Sequence, residues 1–183
     1  MEHLLENDSY KDITISMITK ECGIARQGFY KFYRDKEDLI RKMFVYFVNR
    51  AVFIDHEFTL REFIHNDLRE IGSHSAFFYR MSLESYNGEL FHIMNENVYG
   101  VYTKMLEYRL GFKPDPDMDC LLQAYCTGGI IQTLRFLSSG KGIDADHCTD
   151  LFIDMMPEKI RLILDEGKYP CELLKDYSFE KPL

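Results

Sequence analysis

The sequence predicts an all-α fold in which a small N-terminal helix-turn-helix module of three helices precedes a larger helical bundle. Three observations lead there. Apolar residues recur at steps of three and four over long stretches, and sustained strict alternation is scarce. Breaks containing Gly or Pro separate those stretches. The chain has 183 residues, of which 46% are hydrophobic and 14% aromatic, enough to bury a core and too apolar for disorder.

Taken in order, residues 1–7 are all that is available for a first helix, which is therefore short. Thr14 can cap a second helix with its hydroxyl, and Gly23 is free to take the positive φ that ends it. Ile18, Cys22, Ile24 and Phe29 would pack that helix on a short third one, over about residues 26–32. Asp35 can cap a fourth, with Asp38 three residues on in a capping-box-like position. Leu39, Ile40, Met43, Phe44, Phe47, Val48, Ala51 and Val52 then mark one face of a long helix.

Turns or caps are expected at Gly72-Ser73 and Asn87-Gly88, and loops at residues 111–116 and 138–142. Between those loops lies a second long helix, from Met118 to Leu137, interrupted by Gly128-Gly129. Each mid-helix glycine costs about 1 kcal/mol relative to alanine, tolerable where another backbone packs closely. Cys148, Leu151, Phe152, Met155 and Met156 define a further helix, which Pro157 either kinks or follows as the first residue of the next, residues 158–164. The segment from residue 167 onward reads as a loose tail. The expected total is eight or nine helices.

Composition narrows the function. There are 22 Lys+Arg against 30 Asp+Glu, a net charge of -8, which argues against a simple basic coat protein for nucleic acid. Five cysteines with no CxxC spacing argue against a disulfide framework or a zinc site and fit a reducing compartment. No stretch has the ~18 apolar residues of a membrane span, and the first residues lack the pattern of a secretory signal. A cytoplasmic protein without membrane association is expected. There is no Gly-rich phosphate loop, no metal-spaced His/Asp/Glu cluster and no recognisable nucleophile–base pair, so neither an enzyme nor a cofactor is expected.

Residues 14–39 carry the most specific pattern. It runs Thr14, Ile18, Gly23, then Tyr30-Lys31-Phe32-Tyr33-Arg34-Asp35-Lys36-Glu37-Asp38-Leu39. It resembles the DNA-binding module of TetR-family transcriptional regulators, whose pattern ends Tyr-x-x-Phe-x-x-Lys-x-x-Leu. Arg26-Gln27-Gly28-Phe29-Tyr30 is similar to the Arg-x-x-Phe-Tyr form of a subgroup that includes activators of dihydroxyacetone-kinase operons. The Gly128-Gly129 segment is a weaker second likeness to that subgroup. Ala25 stands where a hydroxyl residue is usual, Gly28 where Thr is frequent, Phe32 where His is common and Tyr33 where Phe is usual. The first helix is about two turns shorter than the family's, which leaves open a start codon lying further upstream.

The resemblance implies a division at residue 46: a DNA-binding domain over residues 1–46 and a ligand-binding and dimerisation domain over residues 47–183. It assigns Arg26 and Gln27 to the major groove, where Arg can pair with guanine and Gln with adenine. Gly28 stands at a position where the family's Thr would make a base or phosphate contact, which is missing here. Thr14, Tyr30, Lys31 and Lys36 would contact phosphate, Lys36 jointly with helix N-terminal amides. The partners implied are a double-stranded DNA operator, a second copy of the chain, and a small-molecule effector or partner protein. Repression and activation both remain open. So does a protein that keeps the fold, has lost DNA binding and docks on another regulator.

In the larger half, Phe77, Phe78, Met81, Tyr86, Phe91, Met94, Tyr102 and Tyr125 are candidates for an adaptable pocket; a solid core is the alternative. The last two long helices, about residues 117–138 and 145–165, would form the family's four-helix dimer interface. Its candidates are Leu121, Gly128, Gly129, Leu134, Leu151, Phe152 and Met155, with packing inside one chain equally open. Charge divides along the same boundary. Residues 1–50 hold 9 basic and 8 acidic side chains, and residues 51–183 hold 13 and 22. The acidity therefore belongs to the larger half, and binding by the small one should need its basic residues correctly aimed.

Overall fold

The structure, a computed structural model, describes residues 1–52, 54–84, 89–140 and 142–175. Among these residues it is all-α, with eleven helices and no strand beyond one isolated bridge. The helices are α1 (Glu2–Asn7), α2 (Ile15–Glu21), α3 (Arg26–Phe29), α4 (Lys36–Val52), α5 (Leu60–Ser73), α6 (Ser75–Glu84), α7 (Glu89–Leu110), α8 (Pro116–Ser138), α9 (Ala145–Met155), α10 (Glu158–Leu164) and α11 (Glu172–Lys175).

The N-terminal module forms for the reasons its residues give. Thr14 caps α2, its Oγ1 accepting from the Met17 amide at 3.2 Å. Gly23 has φ 65°, and the chain turns there. At the start of α4 the Asp35 carboxylate accepts from the Asp38 amide at 2.7 Å, and Asp38 accepts from the Arg34 amide at 3.0 Å. The latter bond, joined by Lys42, holds the Asp38 carboxyl below its usual range. Leu5, Ile13, Ile18, Phe29, Leu39 and Ile40 are buried beneath these turns. Cys22 and Ile24, expected in that core, are exposed.

The third helix is shorter than expected. It runs only from Arg26 to Phe29, and residues 30–32 continue as turns closed by the Tyr33 amide on the Phe29 carbonyl at 3.0 Å. Ala25 offers no side-chain cap, and Gly28 costs propensity in the middle of the segment. Helix α4 runs without a break past residue 46, and α1 packs on α6. One apolar cluster includes Phe29 and Phe44 together with Phe77, Phe78, Met81, Met94, Ile130 and Leu137. The small module therefore shares a core with the larger half.

In the larger half α5 lies between α4 and α9, and α7 packs along α8. Gly128-Gly129 does not interrupt α8, which is continuous over 23 residues. Asp115 caps it, accepting from the Met118 amide at 2.8 Å, with Pro116 in the first turn. Gly72-Ser73 is the last turn of α5, and the expected cap follows it at His74. Asn87-Gly88 lies outside the described residues. Pro157 neither kinks a helix nor occupies its first position; it is the residue before α10. Met156, just ahead of it, is extended (φ -66°, ψ 132°), as the proline ring requires of its predecessor, so α9 stops at Met155.

The end of the chain is docked through residue 175. Tyr169 is fully buried and exchanges backbone hydrogen bonds with Phe58 at 3.0 and 2.7 Å. Its hydroxyl donates to the Leu164 carbonyl at 2.6 Å, and the Arg109 guanidinium lies 4.2 Å from its ring centroid. No helix among the described residues is long and apolar enough to cross a membrane.

Candidate functional site

The turn after Gly23 sets α3 at the surface. Arg26, Gln27, Tyr30 and Lys31 are exposed together there, and Thr14 is exposed beside them at the start of α2. Arg26 Nη2 donates to the Tyr30 hydroxyl at 3.2 Å, and the guanidinium lies 5.8 Å from the Tyr30 ring. That contact holds two of the assigned side chains side by side and keeps the arginine fork outward. Gly28 is half-buried, and a methyl group there would meet only Ile24, at 3.9 Å. The turn therefore places no steric demand for glycine at that position.

Lys36 is engaged within the chain. Its ammonium donates to the Tyr10 carbonyl at 2.6 Å and the Ile13 carbonyl at 2.8 Å, and lies 4.1 Å from the Tyr10 ring. It clamps the loop between α1 and α2 to the start of α4, so its charge is committed within the chain. Lys42 is similarly engaged, by the Phe32 carbonyl at 2.8 Å and by Asp38. The pattern of spacing gave no sign of either clamp, because both rest on backbone carbonyls distant in sequence or in an irregular loop.

The second site is an interior cavity of about 70 Å³, enclosed by α4, α5, α6, α7, α8 and α9. Of the sequence candidates, Phe78, Met94, Tyr102 and Tyr125 line it. Phe77 and Met81 are buried but pack in the apolar core beside it, and Phe91 is half-buried on that core's edge. Tyr86 lies outside the described residues. The sequence reading missed the opposite wall, where α4 contributes Phe44, Phe47 and Val48 and α5 contributes Phe63, Ile64 and Asp67.

A signal for that wall existed. Leu60, Phe63, Ile64, Leu68 and Ile71 form the apolar stripe of α5, and Asp67 sits on that stripe between them. Asn97 interrupts the stripe of α7 in the same way, between Met94 and Val101. Both polar side chains face the cavity. Burial, and secondarily Glu70, push the Asp67 carboxyl up to about 7. Asn97 is buried, and its Nδ2 has no hydrogen-bond partner among the described residues. Glu70 is ion-paired with Arg50 at 2.9 Å and with His74 at 3.3 Å. Tyr125 donates to the Phe152 carbonyl at 3.0 Å, and Thr133 to the Gly129 carbonyl at 3.0 Å. Burial pushes the Cys126 thiol up to about 12, which leaves it a poor nucleophile.

The interface candidates separate into two groups. Leu121 and Met155 are exposed, and Gly128 faces open space, where an added methyl group would meet nothing within 4 Å. With Ala124 and Ile131, both exposed, Leu121 and Gly128 make an outward stripe on α8. Leu134 and Leu151 are half-buried. Gly129 and Phe152 belong to the interior instead: a methyl group on Gly129 would come within 3.1 Å of the Phe152 ring, and Phe152 is buried. Adjacent glycines on one helix point about 100° apart, so the pair could not share a role.

No group of three or more His, Cys, Asp or Glu side chains among the described residues is placed to hold a metal ion. No protein-family profile matches the chain, and no curated protein matches it in sequence. Among solved structures, it is similar to one titled dihydroxyacetone kinase operon activator DhaS. That likeness has a TM-score of 0.73 at 14% identity and covers 89% of this chain and 93% of the other. At such low identity the likeness is one of fold, an all-helical one shared over nearly all of both chains.

Proposed function

We propose that the chain is a dimeric DNA-binding transcriptional regulator whose operator binding is controlled by a small molecule or partner bound among its C-terminal helices. The observation that carries this reading is the exposed cluster of Arg26, Gln27, Tyr30 and Lys31 on a turn-delimited helix, in a chain whose whole fold matches that of an operon activator. DNA-binding side chains act from such a position, with the arginine fork and the Gln amide presented to base edges and Tyr and Lys to phosphate. The outward stripe of α8, with Met155 of α9, supports dimerisation, which would put two reading heads on one operator. Helix α4 supports ligand control, because it both lines the cavity and begins inside the reading module. The soluble, cytoplasmic setting and the division near residue 46 belong to this reading.

Gel shifts on DNA from upstream of the chain's own coding region test it. Salt-sensitive binding that is lost in an Arg26→Ala/Tyr30→Phe/Lys31→Ala variant is the expected result. Binding that persists in the triple variant would move the reading surface elsewhere.

A second reading has its own observation. Ile24, Tyr30 and Phe32 are 46, 48 and 70% exposed on the same module, and the Lys36 ammonium is committed internally. An apolar surface of that kind suits a protein partner, so a docking protein without DNA binding is favoured if the gel shift is negative. Capture of the partner should then fail with Phe32→Ser.

A further inference from the structure

The cavity contains two polar side chains whose needs the chain does not meet. Asp67 is half-buried, and no ion pair or hydrogen bond to its carboxyl is formed among the described residues, although the Tyr102 hydroxyl is near enough to feel its charge and Arg50 and His74 lie against its neighbour Glu70. Asn97, 6% exposed, leaves its amide nitrogen unpartnered. Buried carboxylates and amides are costly unless paired. These two stand on different helices, each in the middle of an apolar stripe, and both open into the same space.

The rest of the wall is apolar and aromatic, including Phe44, Phe47, Phe63, Phe78 and Tyr102. Ring faces attract a desolvated cation. At about 70 Å³ the cavity is roughly half the size of an engineered one that admits benzene, so it takes a guest of about three non-hydrogen atoms without rearrangement.

We propose that this cavity binds a small aliphatic amine, its ammonium on the Asp67 carboxylate and its alkyl portion against the aromatic wall. As it stands Asn97 turns an N–H donor that an ammonium cannot satisfy towards the cavity, so it contributes to amine binding only if a half-turn of the carboxamide presents its oxygen instead. The raised Asp67 carboxyl is consistent with this arrangement, since the empty cavity disfavours a charge that a bound cation would restore. The inference names the effector class within the ligand-controlled reading above, yet it concerns binding by the free protein and is tested without DNA.

The probes are ethylammonium chloride and its neutral counterpart ethanol, titrated at pH 8 into the full-length protein and followed by protein-observed NMR and calorimetry. The ammonium should bind at least ten-fold more tightly than the alcohol in the unaltered protein. Asp67→Asn should abolish that preference. Equal affinities in the unaltered protein would overturn the proposal without reference to any variant. So would an Asp67→Asn protein that keeps the preference, or a crystal structure at saturating amine with only water between Asp67 and Asn97. Amine binding by a protein that fails the gel shift would leave this inference standing and sink the regulator reading.

Discussion

Gly128 and Gly129 are neighbours on α8 that should respond differently to the same substitution. A methyl group added at Gly128 meets nothing within 4 Å. The position is inside a continuous helix, so Gly128→Ala gains helix propensity with no steric cost against it, about 0.8–1 kcal/mol. For a chain of this size that corresponds to a rise of about 2–4 °C in Tm. At Gly129 the added methyl would stand 3.1 Å from Phe152 Cε1, tighter than an ordinary contact. The ring must give way by a few tenths of an ångström, which offsets the propensity gain, so Gly129→Ala should gain less. The comparison is sharper with leucine. Gly129→Leu should lose about 1–3 kcal/mol by overpacking, whereas Gly128→Leu should keep the stability of the single chain and weaken self-association. Thermal and urea unfolding at low micromolar concentration read the first effect, and sedimentation velocity across a concentration series reads the second. A Gly128→Ala chain that is less stable when dilute would refute the open-face geometry. A Gly128→Leu chain that dimerises normally would refute the use of that face.

Further expectations follow from the clamps and the buried groups. Lys36→Met should lower the unfolding free energy by about 1.5–3 kcal/mol in the absence of DNA, because the ammonium holds two backbone carbonyls; urea denaturation of the free protein measures it. Thr14→Ala should cost about 1 kcal/mol through loss of the α2 cap, seen in the same assay. Tyr169→Ala should cost about 3–5 kcal/mol, as truncation of a fully buried aromatic does, and native-state hydrogen exchange should show the Phe58 amide losing protection. The Asp67 carboxyl, at about 7 in the folded chain against about 3.9 when unfolded, contributes stability that is intact below pH ~4 and fades as pH rises through ~7. Asp67→Asn should therefore gain on the unaltered chain from pH ~4 to pH ~7 and level off above, and a stability difference that does not change over that range would contradict the buried placement.

What the sequence made legible was governed by local rules. Thr14, Gly23 and Asp35 announce the ends of helices because capping involves residues within three or four positions. The exposure of Arg26, Gln27 and Lys31 follows from those ends. The Lys36 clamp was hidden, since its acceptors are main-chain oxygens of residues 10 and 13 that carry no identifying side-chain chemistry. The docked tail was equally hidden, because Gly167 and Pro170 signal a turn whether the turn floats or docks; only the pairing with Phe58 decides it. Half of the cavity wall was missed because aromatic density drew attention to residues 76–102. The more telling mark was an acidic residue on the apolar stripe of α5.

Helix α4 spans 17 residues, a rod of about 26 Å at 1.5 Å per residue. One end is anchored among Phe29 and Ile13, and the other forms part of the cavity wall through Phe44, Phe47 and Val48. As a lever of that length, a tilt of only ~5° at the cavity end carries the far end through ~2 Å, and in a two-fold pair the gap between reading heads changes by up to twice that. In the proposed regulator, a small tilt of one helix inside the bundle would thus reach the scale on which a groove contact is made or lost.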